Sequence, residues 1–375
     1  MPALFTPIRL GNLALANRIV IPPMCTYSAD NGCATSWHTM HYGNLAQSGA
    51  GLLILEATAV EERGRISAYD LGLWNDAQAQ SFTPMLEHIR RYSTMPICIQ
   101  LAHAGRKASS RRPWEGGGAL PVTDAQAWPT ISASAQGFMP TDPVPHAANL
   151  EDIAHIKQAF VTAALRTYRL GIDAIELHAA HGYLLHQFLS PLSNLRADHY
   201  GGSLKNRMRL TLEVFDAMRT ALPTDFPIGV RISATDWVDG GWDIAQSTSL
   251  AHALAERGCA FLHVSSAALS PAQQIPIAPG YQVPLAQALK ASLNGRMPVI
   301  AVGLITHAVQ AEAILQAGQA DAIGVARAML YNPRWPWEAA RQLGTTALCA
   351  PQYLRCEPHD AKGLLHIGNP IDATG

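Results

Sequence analysis

Two histidines and a tyrosine follow a short apolar run in Ala174-Ile175-Glu176-Leu177-His178-Ala179-Ala180-His181-Gly182-Tyr183. The run reads as a buried strand, and the two histidines stand where it turns outward. From there both imidazoles can converge on one oxygen. Two N–H donors at a carbonyl oxygen stabilise the enolate that develops when hydride arrives at a β-carbon. Tyr183 is a fitting general acid for the α-carbon. The His178 and His181 spacing also suits a metal, as in barrel hydrolases, but such sites want further His and carboxylate ligands at other strand ends. Those ends offer Cys25, Ala57, Gln100 and Arg231 instead, so no metal site is expected.

A scaffold must bring these residues to one rim. Apolar runs at 18–23, 52–57, 96–101, 172–178, 228–232, 261–265, 298–303 and 320–325 read as strands. Helical patterns are expected between them at 36–47, 79–92, 149–170 with Asn149 as N-cap, 205–221, 244–257 and 285–293. Another is capped by Thr306 and ends near Gly318, and a last run covers 336–343. Alternating β and α elements argue for the α/β class and a single (β/α)8 TIM barrel. The alternation around Gly11-Asn12 suggests an N-terminal β-hairpin closing the barrel floor. After the third strand, a Pro-, Gly-, Trp- and Ser-rich excursion at about 107–148 has no sustained periodicity and is expected to cover the barrel mouth. No Gly-x-Gly-x-x-Gly follows any strand, which argues against a doubly wound dinucleotide fold. One domain is expected over 1–356, with 357–375 a C-terminal extension of no assigned role.

Lys plus Arg number 27 against 28 Asp plus Glu, with no long basic run, so nucleic acid is not an expected partner. No apolar run is long enough to span a bilayer, so no membrane association is expected. The N-terminus lacks the basic and apolar regions of a secretory signal. The six cysteines form no Cys-x-x-Cys pair. They read as thiols of a reducing cytoplasm, the expected location.

The central run through Pro191, continued by Asn194-Leu195-Arg196-Ala197-Asp198 and Tyr200-Gly201-Gly202-Ser203-Leu204-Lys205-Asn206-Arg207, resembles the signature of the Old Yellow Enzyme family of flavin-dependent ene-reductases. Pro22-Pro23-Met24-Cys25-Thr26-Tyr27 and Ala350-Pro351-Gln352-Tyr353-Leu354-Arg355-Cys356 resemble its bacterial thermophilic-like branch, which includes the xenobiotic reductases. The resemblance runs from Phe5 to Arg355. It implies non-covalent FMN, NADPH or NADH as co-substrate, and ping-pong reduction of activated C=C bonds. Enones, enals and related electron-poor alkenes are the implied substrates, with nitro compounds as further candidates.

By the same resemblance, Pro22, Pro23, Met24, Cys25, Ala57, Gln100, Arg231, Gly303, Ala326 and Arg327 match flavin-binding positions. His178 and His181 would hold the substrate, Tyr27 would contact it, and Tyr183 would supply the α-proton. Arg231 suits the cofactor's pyrimidine edge because guanidinium stays charged when buried. Gln100 can donate and accept at that edge. Glycine amides after the seventh and eighth strands suit a phosphate. Ala326 departs from the pattern, since relatives usually carry glycine before the arginine. Arg355 matches an arginine that relatives extend into a neighbouring subunit's site. A homodimer or dimer of dimers with Arg355 acting in trans is therefore implied. A non-catalytic FMN-binding protein is the other alternative, and it would have no need of the His–His–Tyr set.

Overall fold

The computed structural model describes residues 1–368. It opens with an antiparallel hairpin, β1 (Ile8–Leu10) and β2 (Leu13–Leu15). Leu10 and Leu15 cluster with Val20, Leu52, Ile54, Cys98, Ala174, Ile300 and Ala322 from the barrel interior. The hairpin therefore plugs the floor, as expected. Burial of each leucine stabilises the plug by roughly 1.5–3 kcal/mol.

Eight parallel strands close the barrel. They are β3 (Ile19–Ile21), β4 (Leu52–Ala59), β5 (Ile97–Ala102), β8 (Ala174–Ala179), β9 (Ile228–Ser233), β10 (Leu262–Ser265), β11 (Val299–Val302) and β12 (Ala322–Gly324), with β12 paired back to β3. Every residue of these strands is buried, inner faces in the barrel and outer faces under helices. The covering helices are α1 (Ser36–Ala46), α2 (Asp76–Tyr92), α3 (Leu150–Arg169), α4 (Leu184–Leu189), α5 (Leu204–Ala221), α6 (Ile244–Glu256), α7 (Val283–Leu293), α8 (Ala308–Gln316), α9 (Arg327–Tyr331) and α10 (Trp335–Gln342). The TIM-barrel expectation is met.

Several boundaries differ from the sequence reading, most for a local reason. β3 stops at Ile21 because Pro22 and Pro23 have no N–H for a ladder bond. β4 runs on to Ala59 and shifts register between Leu55 and Ala57, so Glu56 is a bulge residue. β8 begins at Ala174 and not at 172. α2 begins at Asp76 because Asn75 accepts from Gln78 N in a capping box. α7 begins at Val283, with Pro284 in a first turn that needs no N–H from it. Asn149 caps α3 as expected. Thr306 does not cap α8; His307 stands there, and Thr306 N donates to Gln310 Oε1.

The excursion is not structureless. It holds 3-10 turns at Gly105–Lys107 and Pro113–Glu115 and a parallel pair, β6 (Ile131–Ser132) with β7 (His146–Ala147). Arg196 Nη1 donates to Ala133 O at 3.1 Å, tying the Asn194–Asp198 motif to this segment. At the far end, β13 (Ala347–Leu348) pairs with β14 (Leu365–His366), and Leu364 and Leu365 enter the core. The extension thus folds back onto the domain as far as it is described; 369–375 lie outside the described residues.

Candidate active site

His178 lies near the C-terminal end of β8, almost fully buried. The chain then turns through His181 at φ +57° and Gly182 at φ +71°. Glycine is required at 182, because a Cβ there would lie 2.1 Å from Ala268 O. This turn sets the His181 ring 5.1 Å and the Tyr183 ring 5.0 Å from the His178 ring, both edge-on. The three chemistry-bearing residues do come together.

Each is oriented by a neighbour. His178 Nδ1 accepts from Ala180 N at 3.2 Å, which leaves the ring proton on Nε2 as a donor. His181 N donates to Ser233 Oγ at 2.9 Å, and its Nε2 meets Ser265 Oγ at 2.7 Å. His181 Nδ1 has no partner among the described residues and is the nitrogen left for a ligand; it carries the proton in the tautomer in which Ser265 donates to Nε2. Burial, and then Arg231, push both imidazoles well below their ordinary pKa. They are neutral N–H donors at neutral pH.

Burial, followed by Cys25, pushes the Tyr183 phenol well above its ordinary pKa, so it holds its proton. Lys107 Nζ donates to His181 O at 2.9 Å and to Ala268 O at 3.0 Å, and lies 5.1 Å from the Tyr183 ring centre. Burial, then Arg106, lowers Lys107 to about 8. The excursion therefore reaches the mouth through Lys107. It does so again through Trp114, which lies edge-on to Tyr27 at 5.8 Å.

Strand register lays the other predicted residues around the same rim. Ala57 pairs with Gln100 and Gln100 with Glu176; His178 pairs with Arg231 and Arg231 with His263. Pro22 is buried, whereas Pro23, Met24, Cys25 and Tyr27 are half-buried beyond β3. The loop they form is clamped by Glu56, whose carboxylate accepts from Thr26 N at 2.8 Å, Thr26 Oγ1 at 2.7 Å and Tyr42 OH at 2.9 Å. The Cys25 thiol is pushed well up by burial, then by Asp70. Gly303 adopts φ +121°, and a Cβ there would lie 2.4 Å from Gln282 Nε2. Ala326 caps α9 with φ −91°, a negative value open to any residue, so alanine in place of glycine imposes no positive-φ strain. Arg327 opens α9, exposed and with no side-chain hydrogen bond among the described residues.

Arg355 does not join this rim within its own chain. It is exposed in a 3-10 segment, Pro351–Cys356. That segment packs Tyr353 on Trp337 of α10. Trp337 Nε1 donates to Leu348 O, which lies against Gly49 just before β4. The tail therefore meets the floor side of the barrel.

The rim has the charge and donors that a flavin requires. Arg231 is 8% exposed, its Nε is buried without a partner, and it enters no ion pair among the described residues. Burial lowers its pKa, Glu176 raises it, and the guanidinium remains a cation. A buried cation with uncommitted donors calls for an anionic acceptor. Gln100, in the neighbouring row, and the close-approach turn at Gly303 add an amide and a backbone cradle. These residues fit an anionic, phosphorylated ring cofactor. Among the described residues, no group of three or more His, Cys, Asp or Glu is placed to hold a metal ion.

Ser265, Ser233, Lys107, Glu56, Gln282 and the Glu176–His263 pair escaped the sequence reading as site residues. Glu176 and Glu56 did leave a signal, as charged residues inside otherwise apolar strand runs.

Barrel, cation, amide and paired neutral imidazoles together define the class of barrel flavin oxidoreductases. The model of the NADH:flavin oxidoreductase / NADH oxidase family matches residues 3–346. An NADPH dehydrogenase of Halalkalibacterium halodurans is 44% identical over 94% of this chain and 98% of its own length. An NADH:flavin oxidoreductase of Gibberella zeae is 41% identical over 93% of this chain and 87% of its own. A solved structure of morphinone reductase in complex with tetrahydroNAD superposes with TM-score 0.75 at 27% identity, covering 92% of both chains. The chain belongs to the NADH:flavin oxidoreductase / NADH oxidase family, an enzyme using FMN and a reduced nicotinamide. The Old Yellow Enzyme resemblance is borne out, and the hydrolase alternative falls away. No helix among the described residues is long and apolar enough to cross a membrane.

Proposed function

We propose that this protein reduces activated C=C bonds in enones, enals and related electron-poor alkenes, by a ping-pong sequence with NADPH as donor. The observation that carries the reading is the meeting of His178, His181 and Tyr183 at the mouth, with Arg231 paired across the strands to His178. FMN held by Gln100, Arg231 and the other rim residues named below would supply hydride transfer between the nicotinamide and the alkene.

The chain's own residues supply the rest. His178 Nε2–H and the free ring nitrogen of His181 bind the substrate carbonyl oxygen and stabilise the enolate charge, worth roughly 10²–10³-fold per donor. Neutrality matters here, because two imidazolium rings beside Arg231 would repel one another and the cofactor's binding cation. Tyr183 donates its proton to the α-carbon. Tyr27, held by the Glu56 clamp and flanked by Trp114, bounds the substrate space. Cys25, kept as a neutral thiol, adjusts the cofactor's surroundings without adding charge. Pro22, Pro23, Met24, Ala57, Gln100, Arg231, Gly303, Ala326 and Arg327 are the proposed flavin-binding residues.

The assembly belongs to the same reading. Arg355 is exposed in a segment packed on the floor side of its own barrel, so it would complete a site in a second copy, as a homodimer or dimer of dimers. The protein acts in the cytoplasm on small molecules. Stopped-flow mixing of reduced enzyme with an enone, a nitroalkene and a maleimide tests the substrate class. Failure of every acceptor to reoxidise the flavin would leave a flavin-binding protein without this activity.

A further inference from the structure

One buried carboxylate, that of Glu176, stands beside the cofactor rim and touches none of the His178–His181–Tyr183 set through a hydrogen bond among the described residues. Glu176 of β8 has no exposed surface. Its Oε1 accepts from Gln100 Nε2 at 2.7 Å, and its Oε2 meets His263 Nδ1 at 2.7 Å. Burial holds the His263 imidazole below its ordinary pKa, so the ring is neutral and donates from Nδ1. Glu176 therefore takes one N–H at each carboxylate oxygen.

This arrangement has two consequences. The Gln100 amide is committed in direction: Nε2 faces Glu176, and Oε1 faces away, because two oxygens in contact would repel. The sequence expectation of an amide free to donate and accept along one edge is thereby narrowed to Oε1 and the remaining N–H. The second consequence concerns Arg231, which lies beside His263 in register. A carboxylate paired directly with Arg231 would occupy its N–H groups. Glu176 has both oxygens already taken, so it balances the guanidinium through space and leaves those donors free.

We infer that Glu176 is a positioning residue for the flavin: it sets the direction of the Gln100 amide and offsets the Arg231 charge, and so lowers the reduction potential of the bound cofactor. The inference rests on the flavin reading of the site.

In Glu176→Gln the shape is kept and the negative charge is lost. The reduced, anionic flavin should then be favoured about tenfold over wild type, which is about 30 mV upward for a two-electron couple. Equilibrium titration of the FMN-loaded protein against a redox dye measures this. Sulfite supplies a second readout, since its adduct with oxidised flavin is also anionic and should bind about tenfold tighter. A fully FMN-loaded variant whose potential is unchanged or lower overturns the inference, because a packing role alone would loosen FMN without raising its potential. If Glu176→Gln does not fold, Glu176→Asp decides the matter. It keeps the charge while falling one methylene short of Gln100, and its equilibrium should stay within about threefold of wild type. A tenfold rise there overturns the charge argument. Wild-type protein that takes up no FMN refutes the flavin reading itself and not Glu176 alone.

Discussion

Replacing Tyr183 by phenylalanine separates the proton-donating step from everything else at the rim. The phenol oxygen enters no hydrogen bond among the described residues, and the ring packs 5.0 Å from His178 and 5.1 Å from Lys107 Nζ. Phenylalanine preserves both ring contacts and orphans no buried partner, so stability should move by no more than about 0.5 kcal/mol. What disappears is a positioned acid, typically worth 10²–10⁴-fold, or about 3–5 kcal/mol of barrier. Because burial keeps the phenol protonated, the loss should be flat across neutral pH. Anaerobic stopped flow resolves the two halves of the cycle. Flavin reduction by NADPH should stay within about twofold of wild type, while reoxidation by a simple cyclic enone slows by about 10²-fold or more. A nitroalkene forms an anion stable enough to leave and take its proton from water, so it should be nearly unaffected. Equal slowing of both halves would show that Tyr183 shapes the site and donates nothing.

Alanine at both His178 and His181 should slow enone-driven reoxidation by at least about 10²-fold and weaken phenol binding, both read in the same instrument; unchanged reoxidation would remove them from the mechanism. Glu56 makes stability depend on pH. Burial raises its carboxyl from 4.5 to about 7, so the native state holds this proton more tightly than the unfolded chain. The Glu56 share of stability is greatest below the unfolded value and is lost, on the order of 3 kcal/mol, as pH rises through that window, while the buried neutral histidines His38, His178 and His181 contribute with the opposite sign. Glu56→Gln should remove this share, so urea midpoints of FMN-loaded protein should fall less, or rise more, than wild type across that window, with the smaller share of Asp70, raised to about 6, left in place; a pH dependence identical to wild type would contradict the assignment. For Arg355, mixing an Arg355→Ala chain with a Tyr183→Phe chain should restore activity above the parental average, because one pocket of the mixed dimer carries neither defect. Mixed dimers showing only the average would place Arg355 outside the neighbour's site.

The barrel was legible because its eight strands are buried on both faces and read as apolar runs, and because most helices keep an amphipathic stripe. α4 was not legible: all six of its residues are buried, so no polar face marks its period. α9 is five residues long, and β6 and β7 are two each, too short for any periodicity. The same division holds in the site. His178, His181 and Tyr183 lie close in sequence and could be read as a group. The contacts that orient them arrive from distant strands: Ser265 lies 84 residues from His181, and His263 lies 87 from Glu176. Local pattern carries no information about such pairings until barrel closure fixes the register. Thr306 misled for a related reason, since a hydroxyl one residue early looks like a cap, while Gln310 claims its backbone N–H instead.

Isotope tracing through one turnover tests the central claim most directly. The FMN-loaded protein is given an enone with NADPH deuterated at the transferring carbon, and in a parallel reaction unlabelled NADPH in deuterated water. The account predicts a saturated ketone with deuterium at the β-carbon in the first reaction and at the α-carbon in the second, with the nicotinamide label passing through the flavin. Unreduced enone, or a product whose β-carbon label comes from solvent under conditions where the flavin does not exchange, would contradict it.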